Sequence, residues 1–351
     1  MRHNPYTVLF GKPPIENIHR VAEERTILEN FLSDQPTQQI YMISGVRGSG
    51  KTVFMTDIAD RIREEKDWIV VELSSEGNIL EKLGSALTAD ASLAKIFQNA
   101  SINLSFFGFG LEVKGAPPIT NIEVALTKML ESLKKKKKHV LVTIDEIVAT
   151  PDMRAFASSF QLYVRRDFPI YLLMTGLYEN IEELQNEKNL TFLYRAPKIL
   201  LPPLNIHAVT ENYRNAFKLN REEALTMARI TRGYPYAFQA LGYLVWENKK
   251  RLDPDVLIQL REYLETYVYE IIWTRLSDKD RQTAYAIAKS ETGRTSDVLS
   301  FAGIDNNHFN PYRKRLIKKS IINGEKRGVV TFTLPLFEQF VIDMCEDIDY
   351  V

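Results

Sequence analysis

Between residues 38 and 204, short uninterrupted apolar runs alternate with stretches whose apolar residues recur at helical spacing. The runs are IYMI at 40–43, WIVVEL at 68–73, VLVTI at 140–144, IYLLMTG at 170–176 and ILL at 199–201. Runs this short, bounded by turn residues, read as strands buried on both faces. Helical patterns fill the gaps: 21–32, with Val21, Ile27, Leu28, Phe31 and Leu32 on one face, then the stretch from Val53, 121–135, 151–168 and 178–187. Strands alternating with helices imply a parallel sheet covered on both sides. The segment 101–113 (SINLSFFGFGLEV) breaks the rhythm: it alternates and carries Gly108 and Gly110, so it reads as a hairpin-like insertion or an exposed docking ridge.

Beyond Pro202-Pro203 the strand signals stop. Residues 206–275 read as four helices, punctuated by Gly233-Tyr234-Pro235 and Asp253-Pro254. From Ser277 the pattern is helix (277–289), turn at Gly293, short helix (294–301), turn at Gly303, helix (307–320) and a hairpin (321–332). Asn310 and Pro311 suit a cap and a first helical position. Three helices and a hairpin make a winged helix-turn-helix. The expected division is an N-terminal arm and helix (1–37), an α/β core (38–204), a helical subdomain (205–275) and a winged helix domain (276–351).

A length of 351 residues exceeds one ordinary core, which agrees with several domains. The 45 basic and 45 acidic residues cancel, so any nucleic-acid surface must be local. Cys345 stands alone, which excludes an intrachain disulfide and a cysteine-based zinc site. The chain shows no signal-peptide core, no repeat and no run of about 18 apolar residues, so the expectation is a cytoplasmic protein with no membrane partner.

The chemistry starts at 39–52, QIYMISGVRGSGKT. Gly45, Val46, Arg47, Gly48, Ser49, Gly50, Lys51 and Thr52 fit G-x-x-x-x-G-K-[ST] between a strand and a helix, the setting that confirms a P-loop. Backbone N–H groups of such a turn wrap phosphate oxygens, and a Cβ at Gly45 or Gly50 would block the approach. Lys51 is expected to reach the β and γ phosphates of ATP, or the β phosphate of ADP, the Thr52 hydroxyl to ligate Mg²⁺, and the helix from Val53 to add its positive end behind the anion. About 90 residues on, the strand HVLVTIDE ends in Asp145 and Glu146. Asp145 is placed to hold Mg²⁺ with Thr52, and Glu146 to orient or deprotonate an attacking water.

Two basic stretches remain. Lys134 to Lys138 end a helix, where lysines complement the dipole and stay solvated or else meet DNA. Residues 311–328 hold seven basic residues (Arg313, Lys314, Arg315, Lys318, Lys319, Lys326, Arg327) against Glu325 alone. On the expected recognition helix and wing, that charge suits double-stranded DNA. Winged helices also dock proteins, and the acidic tail (Glu338, Asp343, Glu346, Asp347, Asp349) could mask the basic helix.

Taken together, the P-loop, the DE strand, the Thr-tipped strand, a later Arg, a helical lid and a winged helix resemble the AAA+ and STAND-like ATPases. The nearest likeness is to the ATPases abundant in archaea, relatives of origin-recognition and helicase-loading proteins. The resemblance implies a P-loop NTPase core with a helical lid, Thr175 as the sensor 1 residue and Arg195 as an arginine finger acting in its own chain or a neighbour's. The arm, with Asn4-Pro5, Gly11 and Pro14, is similar to the family's adenine-enclosing segment, although His19-Arg20-Val21 replaces the usual Gly-Arg-Glu. It is expected to pack on the nucleotide core through Tyr6, Val8, Leu9 and Phe10. Gly233-x-Pro235 is similar to the STAND-type motif that brings Pro235 near the base. Loader ATPases carry a sensor 2 Arg at about Tyr236. Here Arg232 is the nearest Arg, either substituting for it or capping its own helix. The implied function is a nucleotide-hydrolysing switch coupled to a DNA-binding winged helix, with a homo-oligomer among the possible partners. The alternative is a regulatory NTPase whose winged helix docks protein; a small-molecule kinase, which needs no winged helix, stands third.

Overall fold

The computed structural model describes residues 3–9, 14–290 and 292–346. Phe10, Gly11 and Pro13 of the arm and Asp347 and Asp349 of the acidic tail lie outside the described residues. The chain divides into two compact units: Arg20–Ser44 with Lys51–Leu200, and Met1–His19 with Gly45–Gly50 and Leu201–Val351.

The first unit is α/β. Its elements run α1 (Val21–Phe31), β1 (Ile40–Ser44), α2 (Lys51–Arg63), β2 (Trp68–Ser74), α3 (Ile79–Ala89), α4 (Ala91–Asn99), α5 (Ile122–Lys135), β3 (His139–Asp145), α6 (Pro151–Arg165), β4 (Ile170–Gly176), α7 (Tyr178–Gln185) and β5 (Lys198–Leu200). The five strands form one parallel sheet in the order β2-β3-β4-β1-β5. β1 and β4 are buried along their whole length, as continuous apolar runs require. Helix starts are set by side chains that take up orphan amides: Asn78 before α3, Asn121 before α5, and Thr150 with Pro151 before α6. Because β4 lies between β1 and β3, the strand leading to the glycine turn is not adjacent to the strand ending in Asp145. Ile43 pairs with Thr175 and Ile144 with Met174, so Thr175 bridges the two at the carboxyl ends, the end where open α/β sheets bind ligands.

The segment 101–113 forms no hairpin. A single 3₁₀ turn (Ser105–Phe107) sits in it, and one bond from the Leu104 amide to the Leu111 carbonyl (2.8 Å) closes the loop. Its alternation comes from Ile102, Leu104 and Leu111, which anchor it in the core. In the lysine run, Lys134 pairs with Asp167 and Lys138 with Asp67, each at 2.9 Å.

The second unit is mostly helical: α8 (Ile206–Phe217), α9 (Arg221–Thr231), α10 (Pro235–Glu247), α11 (Pro254–Leu264), a π turn (Glu265–Tyr269), α12 (Glu270–Thr274), α13 (Asp278–Ala288), α14 (Thr295–Ala302), α15 (Asn306–Lys318), β6 (Ile322–Asn323), β7 (Thr331–Phe332) and α16 (Phe337–Glu346). β6 and β7 pair antiparallel, and Arg294 bridges to Val329, giving α13 to β7 the form of a winged helix. One hydrophobic core runs from α8 through α16. The arm joins this core rather than the α/β sheet: the Tyr6 ring stacks on Phe217 at 5.5 Å, and a Cβ on Gly242 would overlap it. α15 starts before Pro311, because Asp305 accepts the His308 amide (2.9 Å) and Phe309 must be buried; Pro311 therefore lies inside the helix. No helix among the described residues is long and apolar enough to cross a membrane.

Candidate functional site

The glycine turn follows β1 directly. Gly48 (φ 74°) and Gly50 (φ 81°) adopt the left-handed conformation that side chains resist, and a Cβ on Gly45 would run into Ser49 Oγ. Within the helical unit, the turn's outward carbonyls are taken. The Tyr234 hydroxyl donates to the Arg47 carbonyl and the Tyr236 amide donates to that of Gly48 at 3.2 Å. A Cβ on Gly48 would overlap the Tyr234 hydroxyl. Val46 is buried in the core of the same unit. Burial raises the Tyr234 phenol well above its usual range and Tyr236 to about 12, so both stay protonated. Pro235 occupies the first turn of α10, between these two tyrosines.

In the α/β unit, Lys51 opens α2 and is buried, Thr52 is exposed, and Val53 completes the first helical positions. The Thr52 hydroxyl donates to Asp145 Oδ2 at 2.7 Å. Thr175, fully buried, donates its hydroxyl to Asp145 Oδ1. The Glu146 amide donates to both Asp145 Oδ1 and Thr175 Oγ1, each at 3.1 Å. Ser75 Oγ donates to the Glu146 carbonyl at 3.3 Å, and the Ile147 amide to that of Thr175 at 2.9 Å. Glu146 itself sits at φ 48°, an uncommon conformation for a residue with a side chain, and it is exposed. The chain thus turns sharply after β3, with the bonds from Thr175, Asp145 and Ser75 over-determining a strained residue. A hydroxyl and a carboxylate oxygen side by side are the donor set of a hard divalent cation.

Arg195 is not among these residues. It ends the 3₁₀ turn Thr191–Arg195, exposed, three residues ahead of β5. Lys198 pairs with Met42, so the Arg195 backbone lies toward the amino ends of the strands, on the side of β1 away from β3. Arg232 is the left-handed C-cap of α9, but its guanidinium leaves that helix for the carbonyls of Phe332 (3.0 Å) and Leu334 (3.4 Å) and for Glu338 (3.1 Å). Tyr234, Tyr236 and Ser75 carry no motif that marks these contacts in the sequence. Gly233 and Pro235 flag the segment, but whether a neighbouring phenol packs or donates depends on what it faces.

On the winged helix, Lys314, Lys318, Lys326 and Arg327 are exposed and Lys319 is half-buried. Arg313 and Arg315 bond within the protein. Arg315 pairs with buried Asp280 at 2.7 Å and reaches Ser277 Oγ at 2.9 Å, while Arg313 donates to the Gly324 carbonyl at 3.1 Å.

Residues 20–193 match the family described as an ATPase domain predominantly from Archaea, and residues 266–341 match a domain of unknown function. No curated protein matches the chain. Among solved structures, the Walker-type ATPase of Pyrococcus abyssi is similar at 16% identity over 92% of this chain and 95% of that one, with a TM-score of 0.64. The ORC2 protein of Aeropyrum pernix, solved as ADPNP–ADP complexes, is similar at 14% identity over 97% and 96%, with a TM-score of 0.59. Identities this low speak for the fold, which is that of a P-loop AAA+ ATPase.

Proposed function

We propose that this chain, whose residues 20–193 match the ATPase domains found predominantly in Archaea, binds ATP with Mg²⁺, hydrolyses it and passes its nucleotide state to a DNA-contacting winged helix. The observation that carries the reading is the convergence of Thr52, Thr175 and the Glu146 amide on one carboxylate, Asp145, with Lys51 beside Thr52 in the chain. Glycine-turn amides cradle the phosphates, and Lys51 neutralises their outer oxygens.

Thr52 and Asp145 fit Mg²⁺, since both offer oxygen within 2.7 Å of each other at an exposed hydroxyl. When bound, the ion supplies charge neutralisation at the phosphates. Asp145 and Thr175 fix the backbone of Glu146, so its carboxylate stands free to take a proton from water. Arg195 is the candidate for stabilising transition-state charge on a neighbouring copy's nucleotide rather than its own, given where β5 starts.

The proposed DNA surface is Lys314, Lys318, Lys319, Lys326 and Arg327, without Arg313 and Arg315. The second reading, a STAND-type regulatory NTPase whose winged helix docks protein, draws on the internal bonds of Arg313 and Arg315. Lys51→Ala should lose nucleotide binding by calorimetry, and Glu146→Gln should bind ATP while turning over about 100-fold more slowly. Parental turnover in Glu146→Gln would remove the assigned base.

A further inference from the structure

Five consecutive residues of the helical unit, Arg232-Gly233-Tyr234-Pro235-Tyr236, touch the glycine turn at one end and the wing at the other. The Tyr234 hydroxyl and the Tyr236 amide hold the carbonyls of Arg47 and Gly48. Arg232 holds the carbonyls of Phe332 and Leu334, where β7 runs out, and Glu338 in the first turn of α16. The segment has little slack. Gly233 lies at φ 73°, a Cβ there would overlap the Leu204 carbonyl, and its own carbonyl accepts the Leu204 amide at 2.7 Å. Thr231 takes the Gly233 amide on its hydroxyl (3.2 Å) and the Tyr234 amide on its carbonyl (2.8 Å). A further tie reaches the same wing end, since the buried Tyr269 hydroxyl donates to the Pro335 carbonyl.

An Arg that only capped its helix would bond the carbonyls of α9. Here the guanidinium instead spans to a hairpin 100 residues later, and the half-exposed ion pair with Glu338 is its weaker part. On the other side, phosphate in the turn would draw its amides inward while the Arg47 and Gly48 carbonyls stay with Tyr234 and Tyr236. Any resettling of the turn must then carry residues 234–236 with it.

We infer that Arg232 and Tyr234 are positioning residues that tie the glycine turn to the wing, so that phosphate in the turn and the conformation of the wing bias each other. The inference rests on the reading of the turn as a nucleotide site and adds the route of its regulation. By linkage, a ligand bound at the wing must change nucleotide affinity by the factor by which nucleotide changes that ligand's affinity.

Amide hydrogen exchange on the full chain tests it, without nucleotide and with saturating ADP, beside calorimetric ADP affinity. Without ADP, Tyr234→Phe removes one oxygen and should speed exchange about fivefold in residues 45–50, at Tyr236, and also in 330–338. Arg232→Gln should speed exchange in 330–338 and in 45–50 by a similar factor. With ADP, exchange in 330–338 should shift in the parent and not in Arg232→Gln, whose ADP affinity stays within about threefold. Arg232→Lys, keeping the charge but not the fork, should restore part of the shift.

An ADP shift at 330–338 that survives Arg232→Gln overturns the inference. So does a Tyr234→Phe effect confined to residues 45–50. A parent that binds no ADP removes the nucleotide reading instead, and the nucleotide-free comparison still decides whether the two ends are tied. Should Arg232→Gln fail to fold, Tyr234→Phe carries the test alone.

Discussion

Thr175 accepts the Glu146 amide at 3.1 Å on the same oxygen that donates to Asp145. One buried hydroxyl at the tip of β4 therefore sets both carboxylate-bearing residues at the end of β3. Thr175→Val keeps the shape and removes that oxygen, leaving Asp145 and the Glu146 amide each one partner short. The expected outcome is a turnover loss of about 10- to 100-fold and a stability loss of about 1–3 kcal/mol, with nucleotide affinity little changed. Thr175→Ser should recover most of both. Steady-state ATP hydrolysis, calorimetry and thermal melting measure the three. Turnover within twofold of the parent would show that the hydroxyl positions nothing that matters.

Metal dependence follows from the bond between Thr52 and Asp145. In the parent, chelating Mg²⁺ should weaken ADP binding about 10-fold or more, because one of the charges balancing the phosphates is gone. Asp145→Asn should bind ADP weakly with or without the metal, since the amide oxygen is a poorer ligand for a hard cation. An Asp145→Asn chain that keeps the parent's dependence on Mg²⁺ would place the ion elsewhere.

Gly48 and Gly108 share a left-handed backbone, φ 74° and 71°, but not their surroundings. A Cβ on Gly108 meets nothing within 4 Å, whereas on Gly48 it meets the Tyr234 hydroxyl. Gly108→Ala should then cost the backbone alone, about 1 kcal/mol. Gly48→Ala should cost about 2–4 kcal/mol and weaken nucleotide binding with it. Urea denaturation of the two variants separates strain from collision; equal losses would mean that Tyr234 moves aside freely.

The strands and the glycine turn were legible because parallel strands buried on both faces leave continuous apolar runs, and because the turn's residue types answer to a phosphate. Asp145 and Thr175 were legible as polar residues where apolar runs end, and Thr52 as the last residue of the glycine-turn pattern. Contacts between segments far apart in sequence were not. Arg315 looks like one more cation on a basic helix until Asp280, 35 residues earlier, is seen beneath it. Arg232 looks like a helix cap, and its partners begin 100 residues later. Tyr6 reads as a residue of the nucleotide core, yet its ring fills the space left by Gly242. α16 leaves its trace in Phe337, Phe340 and Val341, spaced at three and four, directly behind the hairpin signal. In 101–113, alternation marks anchoring to a core and not a ladder, two causes that leave the same trace.

Arg315 and its neighbours give opposite expectations although they share one winged helix. Asp280 is 3% exposed in its side chain, so removing Arg315 leaves a buried carboxylate uncompensated, and Arg315→Gln should lower stability by about 2–3 kcal/mol. Asp280→Asn paired with Arg315→Gln should cost less than the two separately, as a double-mutant cycle reads. Lys314, Lys326 and Arg327 are exposed, and reversing them to Glu should leave melting within about 0.5 kcal/mol per site. If these cations face DNA phosphates, the plot of log affinity against log salt for a mixed-sequence duplex should flatten by about 2–3 in slope in the triple variant. Arg315→Gln, where it still folds, should leave that slope unchanged. A triple variant that melts like the parent and binds the duplex as steeply would take the recognition helix away from DNA and favour protein docking at the wing.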